Sequence, residues 1–513
     1  MIVIREYRGH IRNWKQLCQE LEIDSTLSRQ DREREILVKG YQKWGCKELL
    51  LKLHGMFAFA LYDEEAEQLI CARDPFGATP FYYYVTEGKE LLFGTSIRQV
   101  MKQQGFCKQL NEKLLQLYMS LTYVAGEETF FKGLNKLMPG RYMIWKNGAA
   151  EIVRYWKPEY SVQEGKSLEE WAEEIHNTFT QIMTEVKEDG EYAESFLSGG
   201  VDSSYVLAMS DAPIANSVGY EEERFDESIL AEKTADILGR KLRRCIITPE
   251  QYFAIVPYVM ENMEQPLGDA SAIAFALGCR ETAKHTPLCY SGEGSDEFFG
   301  GYNMYRNAER YGDNLKTFFV GNTNIMKEDE KKELLKYYEE GVLPIDLAKD
   351  MYEEMEGMDP LSKMLSIDTQ IWLEGDILLN VDRMSTAAGL EVRMPLLDRR
   401  MFDIASKMPA DCKLSETQSK VALRKAAEHV LPEEIAQRKK LGFVVPIRIW
   451  LADERYNQDV QKKLKSSAAE QFFYVEKLEE IWKEYIGGNS DLWRKIWTVY
   501  SFLVWYEQYF EKE

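Results

Sequence analysis

The stretch Tyr192-Ala193-Glu194-Ser195-Phe196-Leu197-Ser198-Gly199-Gly200-Val201-Asp202-Ser203-Ser204 decides how this chain is read. A short run closing on Phe196-Leu197 reads as the end of a strand, Ser198-Gly199-Gly200 as a tight turn, and Ser203 to Met209 as the first turns of a helix. Glycines let the backbone approach a ligand closely and set successive N–H groups in a concave anion nest. The helix that follows aims its unpaired N–H groups and the positive end of its dipole at the same spot. Serine hydroxyls add donors, and Asp202 can hold the Mg²⁺ that accompanies a polyphosphate. The cradle is not of the Walker type, because the G-x-x-x-x-G-K-[ST] pattern and its lysine are missing. S-G-G alone would be a glycine turn between a strand and a helix. The strand, the aspartate and the second serine make it a phosphate site.

Downstream the pattern alternates. Ile214–Gly219 reads as a strand, Ser228–Leu238 as a helix and Lys241–Ile247 as a strand; Gln251–Met263 and Ala272–Lys284 read as helices and Leu288–Ser291 as a strand. That alternation implies a doubly wound parallel sheet, with ligands beyond the carboxyl ends of the strands, where Leu197, Val218 and Ser291 fall. A second motif follows one of those ends: Ser291-Gly292-Glu293-Gly294-Ser295-Asp296-Glu297, continued by Phe298-Phe299-Gly300-Gly301-Tyr302. Glycine, serine and acid side by side suit backbone approach to a nucleotide, and Asp296 supplies a second carboxylate for Mg²⁺ on the pyrophosphate. Without the Asp202 loop upstream, this would be an acidic glycine loop with a solvated face. Beyond it the chain reads as largely helical, with Lys327–Glu340 as a solvated charged helix.

Length and composition set bounds. A chain of 513 residues, 45% apolar with a mean hydropathy of −0.41, describes two or more globular domains. A formal net charge of −21 argues against nucleic acid as the main partner, since phosphate contacts need clustered Lys and Arg. The 8 cysteines fall singly, without a C-x-x-C pair, which fits reduced thiols; the 5 histidines show no zinc spacing. The opening MIVIREYRGH carries charges where a signal peptide needs an apolar core. The apolar run Leu492 to Tyr506, broken by Arg494 and Lys495, is too short to span a bilayer and reads as a docking helix. The expected compartment is the cytoplasm.

The first 157 residues read as one unit: helices at Ile11–Leu21 and Glu33–Trp44, then strands at Met56–Tyr62, Gln68–Ala72, Phe81–Val85 and Leu91–Thr95. Arg73-Asp74-Pro75-Phe76-Gly77 and Pro139-Gly140 are turns. Pro158 to Gly165 is a polar connector, and Trp171 to Val186 has helical apolar spacing. The expected division is 1–157 and 168–513.

S-G-G-V-D-S at 198–203 resembles the pyrophosphate loop of the N-type ATP pyrophosphatases, which split ATP between its α- and β-phosphates. Together with S-G-E-G-S-D-E at 291–297, D-R-M-S at 382–385, L-E-V-R-M-P-L-L-D at 390–398 and R-K-K-L-G-F at 438–443, it looks like the synthetase domain of asparagine synthetases. The motifs come in the family's order and rough spacing, and the resemblance covers essentially residues 5–513. His54-Gly55-Met56-Phe57-Ala58-Phe59-Ala60, Ala72-Arg73-Asp74-Pro75-Phe76-Gly77-Ala78-Thr79-Pro80-Phe81-Tyr82 and Leu137-Met138-Pro139-Gly140-Arg141-Tyr142 resemble the same family's glutaminase half. The implied α/β architecture is an Ntn-hydrolase-like (class II glutamine amidotransferase) α+β sandwich remnant. A doubly wound parallel-sheet ATP-pyrophosphatase (adenine nucleotide α-hydrolase-like) domain with a helical carboxyl-terminal part follows it.

The resemblance implies adenylation of a carboxylate by MgATP, then attack by an amine to give an amide, AMP and pyrophosphate. By the same resemblance Ser198, Gly199, Gly200, Asp202 and Ser203 cradle pyrophosphate. Leu197, Val218 and Gly292 line the adenosine pocket, with Ser291 beside them, and Asp202 and Asp296 hold Mg²⁺. The α-phosphate gathers negative charge during adenylyl transfer, so a positioned lysine is expected. Lys440 takes that role, with Lys439 as second candidate. Glu293 joins the catalytic residues: related β-lactam synthetases carry tyrosine there, so the glutamate favours the asparagine-synthetase form.

The first half departs from the family. Its glutaminases start with a nucleophilic cysteine, and residue 2 here is Ile2. The family's N-G-E motif aligns with Arg8-Gly9-His10 and its S-D-x-E motif with Arg32-Glu33-Arg34-Glu35, and the opening strands are expected to be absent. Cys18, inside a helix pattern, reads as core. Glutamine hydrolysis is therefore expected to be lost, leaving a ligase that acts on aspartate or a related carboxylate with free ammonia or ammonia from a partner. Alternatives are a tailoring or macrolactam-forming ligase using another amine, of the lasso-peptide-cyclase or β-lactam-synthetase kind, and an ATP-binding pseudoenzyme. Small molecules, without nucleic acid or membrane, are the expected partners, and family members often pair as homodimers.

Overall fold

The computed structural model describes residues 1–321, 323–439 and 442–512. Its first part contains strands β1 (Ile2–Ile11), β2 (Gly55–Asp63), β3 (Gln68–Arg73), β4 (Tyr82–Val85), β5 (Leu91–Gly94), β6 (Leu134–Lys136), β7 (Arg141–Lys146) and β8 (Ala149–Arg154). They form an antiparallel five-stranded sheet in the order β1-β2-β3-β7-β8 and a three-stranded sheet β5-β4-β6. Alternation along β2 sorts the two faces. Phe57, Phe59 and Leu61 pack with Trp14, Leu17, Ile36 and Leu37 of the helices Trp14–Leu21 and Arg29–Lys52. Ala58 and Ala60 face Phe81, Tyr83 and Met143 instead, the period-two partition of a strand buried on both sides.

Several boundaries differ from the sequence reading. Ile11 closes β1 rather than opening a helix, so a ten-residue strand occupies Ile2–Ile11. Its charged residues hide the alternation, and each finds a partner. Arg5 lies over the Tyr62 ring, Glu6 accepts from Gln99 at 2.9 Å, and Arg8 pairs with Asp382. Strands β6, β7 and β8 also went unread. Lys327–Glu340 is not a solvated helix: only Glu328–Leu334 is helical, and Lys331 is fully buried, its Nζ 2.7 Å from Ser120 Oγ. A fully buried ammonium needs such partners.

The second part is built on β9 (Glu194–Phe196), β10 (Ile214–Tyr220), β11 (Lys241–Ile247), β12 (Leu288–Tyr290) and β13 (Glu391–Arg393). They pair in parallel in the order β11-β10-β9-β12-β13. β13 was not expected. The preceding helix Leu168–Lys187 starts with a Ser167/Glu170 capping box and buries Trp171, Ile175, Phe179, Ile182 and Val186, the spacing of one helical face. Central β9 is short, and β10 overhangs it: Ala215 pairs with Ser195 and Asn216 with Phe196. Val218 thus lies within β10 rather than at its end, beside the turn that leaves β9. The connector 158–165 has no regular structure and is tied down where Ser161 N–H donates to Ser406 O and Gln163 N–H to Lys407 O. Helix Trp493–Tyr506 is buried over nearly all its length and docks against the helix Pro249–Met263. Among the described residues no helix is long and apolar enough to cross a membrane.

Candidate active site

Strand β9 ends at Phe196, and Ser198-Gly199-Gly200 leads directly into the helix Val201–Met209. Gly199 has φ 80°, and a Cβ there would stand 2.9 Å from the Ala231 amide nitrogen, so only glycine fits the turn. Ser203 Oγ lies 3.2 Å from both the amide nitrogen and the Oγ of Ser198, and Ser204 Oγ donates to Gly200 O at 2.7 Å. These bonds preshape the cradle. Across from it, β12 ends at Tyr290, and the loop after it feeds the short helix Ser295–Phe299.

Between the two loops lies a cavity of about 540 Å³. Leu197, Ser198, Gly199, Gly200, Asp202 and Ser203 line one side of it, and Ser291, Gly292, Glu293 and Asp296 the other, with Val218 between. Lys439 also lines it, whereas Lys440 lies outside the described residues.

The cation at the centre is one that sequence reasoning missed. Lys420, 1% exposed, places Nζ 2.6 Å from Asp202 Oδ2, 2.8 Å from Asp296 Oδ1 and 2.8 Å from Ser295 Oγ. All its donors are used, and its backbone is left-handed at φ 58°, a costly conformation for a side chain with a Cβ. Arg438 was quoted only as part of a motif. Its Nη1 donates to Gly199 O at 2.7 Å and to Thr234 Oγ1 at 3.0 Å, pinning the cradle from the carboxyl-terminal side. Arg424 lines the same cavity and holds the carbonyls of Ala436 and Arg438 at 2.8 Å.

Two oxygens of Asp202 serve two purposes. Oδ2 binds Lys420, while Oδ1 is buried without a hydrogen-bond partner, an oxygen suited to a hard divalent cation. Among the described residues no three His, Cys, Asp or Glu side chains stand together to hold a metal alone. The free Asp202 Oδ1, with Asp296 on the facing loop, fits Mg²⁺ in the manner of a nucleotide site, where phosphates and water would complete its shell.

Two further acids adjoin the cavity: Asp269 lines it, and Glu297 follows Asp296 and contacts the lining Tyr302. Glu297 is 1% exposed, and burial with neighbouring Asp296 pushes its carboxyl up to about 7; its Oε1 accepts from Tyr302 Oη at 2.5 Å. Burial likewise raises Asp269, which accepts from Ser271 Oγ at 2.5 Å.

The residues aligned with the glutaminase motifs lie elsewhere. Arg8 pairs with Asp382 and bonds Thr386 Oγ1 at 2.6 Å. His10, 2% exposed, lies 3.5 Å from Glu33 Oε1 and 3.7 Å from Asp189 Oδ2, and Arg32 reaches Asp189 at 2.7 Å. Desolvation by burial, then Arg393, holds the His10 imidazole well below its ordinary pKa.

Comparison with known proteins matches two family models: asparagine synthase over residues 181–507 and a glutamine amidotransferase domain over residues 2–156. The chain belongs to the asparagine synthase family. It is similar to "Asparagine synthetase [glutamine-hydrolyzing] 1" of Bacillus subtilis, 32% identical over 99% of this chain and 85% of that protein. A "Putative asparagine synthetase [glutamine-hydrolyzing]" of Mycobacterium tuberculosis is 29% identical over 98% and 84%. "Amidase chyE" of Penicillium rubens is 25% identical over 81% and 73%. Among solved structures, a glutamine phosphoribosylpyrophosphate amidotransferase from B. subtilis aligns over 47% of this chain and 45% of that chain at 16% identity with a TM-score of 0.21. Membership in the family makes the protein a carbon–nitrogen ligase of a kind that uses ATP, and the cavity at β9 and β12 lies inside the segment matched to asparagine synthase.

Proposed function

We propose that the protein is an ammonia-dependent ligase that adenylates the side-chain carboxylate of aspartate, or a closely related carboxylate, and converts it to the amide. The observation that carries this reading is Lys420, clamped between Asp202 and Asp296 at the mouth of the glycine cradle. The N–H groups of the turn and the helix start at Val201 receive the β- and γ-phosphates. Ser198 and Ser203 add hydroxyl donors. When Mg²⁺ is bound it neutralises charge on the phosphates through Asp202 and Asp296. Lys420, whose donors are taken by Asp202, Asp296 and Ser295, then contributes positive charge beside the departing pyrophosphate. A carboxylate oxygen attacks the α-phosphorus, the bond from that phosphorus to the bridging oxygen breaks, and pyrophosphate leaves with the electron pair. Ammonia then attacks the acyl carbon, a proton is lost, and AMP departs as the carbon–oxygen bond breaks. Glu293 and Asp269, which line the cavity, suit an amine-bearing acceptor and an incoming nitrogen nucleophile.

Loss of glutamine hydrolysis is part of this reading. What supports it is the filling of the aligned positions by Arg8, His10 and Arg32: Arg8 pairs with Asp382, Arg32 with Asp189, and the His10 ring is buried between Glu33 and Asp189. A cytoplasmic setting and a homodimer complete the proposal. The test is pyrophosphate release from MgATP with aspartate and ammonium. Release with asparagine formation is the expected result, and release with a different carboxylate alone would replace aspartate in the reading. No release with any carboxylate would overturn the ligase assignment of this cavity.

A further inference from the structure

One wall of the cavity belongs to the helical run Pro360–Ala388, and its middle, Asp368–Leu378, is π-helical, a rare geometry that recurs at functional sites. Trp372 on this segment lines the cavity. The segment is gripped from the amidotransferase-like part of the chain. Arg73 Nη1 reaches Glu374 Oε1 at 3.0 Å, and Lys136 Nζ reaches Oε2 at 2.9 Å, with all three side chains buried. Burial works against the Glu374 carboxylate, but Lys136 and Arg73 more than offset it and hold its pKa below the ordinary range. One residue on, a Cβ at Gly375 would meet the Tyr123 ring at 2.6 Å, so that ring lies directly against the π-helical backbone. Tyr123 also stands edge-on to Trp372, centroids 5.5 Å apart.

From Trp372 the contacts run into the site. Its Nε1 donates to Tyr302 Oη at 3.4 Å, and Tyr302 donates to Glu297 Oε1 at 2.5 Å, next in sequence to Asp296. We propose that Arg73 and Lys136 are positioning residues for the ligase reaction: by neutralising Glu374 they fix the π-helical wall that keeps Trp372 and, through Tyr302, Glu297 in place. This rests on the ligase reading given above. It also assigns a task to the amidotransferase-like part that does not require glutamine hydrolysis.

Arg73 also donates to the carbonyls of Gly77, Thr79 and Leu137, so its removal would disturb its own loop. Lys136, with one further bond to Val124 O at 3.1 Å, is the cleaner probe. Lys136→Met leaves Glu374 short of a buried partner, which displaces the segment or protonates the carboxyl. The expected result is a kcat for pyrophosphate release lowered about tenfold or more, with KM for ATP changed by less than about twofold, because the cradle itself is untouched. Lys136→Arg, which keeps the charge, should retain activity, and Lys136→Met/Glu374→Gln should recover most of the loss. Amide hydrogen exchange across 368–378 should quicken in Lys136→Met and slow again in the double variant. An unchanged kcat in Lys136→Met, or unchanged exchange across 368–378, would overturn the proposal. The exchange readout needs no turnover, so a wild-type chain that releases no pyrophosphate would sink the ligase reading while the wall is still tested.

Discussion

Two regions of the molecule carry carboxylates matched to cations, and they differ in what else they contain. At the cradle, Asp202 and Asp296 share Lys420 beside a cavity of about 540 Å³, and one Asp202 oxygen is left without a bond. Around Glu33, by contrast, the cations and carboxylates of both parts of the chain interlock. Arg32 holds Asp189, Arg29 holds Glu391 at 2.7 Å, and Arg393 holds Glu391 at 2.7 Å and also Glu191. Glu33 itself accepts from Tyr7 Oη and the Ile11 amide, both at 2.9 Å. Charged residues at a buried position therefore do not by themselves mark chemistry. A site also needs open volume beside such charges; the region around Glu33 uses its ion pairs to join the two parts, although both His10 ring nitrogens and Asp189 Oδ2 stay without a hydrogen-bond partner there too.

The comparison breaks most readily at Lys420. Lys420→Met should lower pyrophosphate release by about a hundredfold to a thousandfold, the range for removing one group that stabilises developing negative charge. Circular dichroism should stay unchanged. Near wild-type turnover would move the catalytic cation to another residue, Lys440 first. Asp202→Ala should likewise abolish release while the chain stays folded, and unchanged turnover would remove Asp202 from the mechanism.

In the joining region the expected effects are on stability. Asp398, 3% exposed, pairs with Arg12 and is held by Arg400 at 2.9 Å, and these cations, against burial, depress its pKa. Its contribution is present above the unfolded carboxyl value and lost as pH falls through the depressed one. Asp398→Asn should therefore cost about 3 kcal/mol near neutral pH, read from denaturant midpoints, with the deficit shrinking in acid.

Glu33 has the opposite sign. Burial pushes its carboxyl from 4.5 up to about 7. The folded chain then binds that proton more tightly than the unfolded chain. Its stabilising contribution is complete below about 4.5 and is lost as pH rises to about 7. Glu33→Gln should flatten this slope and leave the variant about 3 kcal/mol less sensitive to pH across that window. An unchanged slope would mean that Glu33 is charged at neutral pH and that the two regions are electrostatically alike.

The smallest effect belongs to Cys18, 3% exposed in the helix Trp14–Leu21. Cys18→Ala should leave turnover unchanged and lower stability by about 1 kcal/mol at most. Lost activity would return the thiol to the candidate nucleophiles.

What the sequence disclosed follows from how local each signal is. Ser198-Gly199-Gly200 and the loop after β12 are legible because turn geometry, helix start and ligand donors come from adjacent residues. Lys420 is not: Ser415-Glu416-Thr417-Gln418-Ser419 before it reads as a polar loop. Its meaning lies in a carboxylate 218 residues away and in a left-handed backbone that no pattern of residue types announces. Strand Ile2–Ile11 escaped for a related reason. Arg8 and His10 interrupt its apolar alternation; Arg8's partner Asp382 is distant in sequence, and so is Asp189, beside which the His10 ring is buried. Short β13 could be recognised only by its pairing with β12. Lys331 looked solvated because its neighbours are charged, yet its partner Ser120 comes from the other half of the chain.

On the proposed reading, the cavity at β9 and β12 performs amide synthesis and the amidotransferase-like part braces it without supplying nitrogen. Nitrogen transfer tests this most directly. The chain would be incubated with MgATP and aspartate, and either ¹⁵N-ammonium or glutamine labelled with ¹⁵N at its amide, and the product amide read by NMR. The account predicts label in the product from ammonium and none from glutamine. Label passing from glutamine to the product would contradict it, and would mean that the region around His10 and Glu33 opens to bind and hydrolyse an amide.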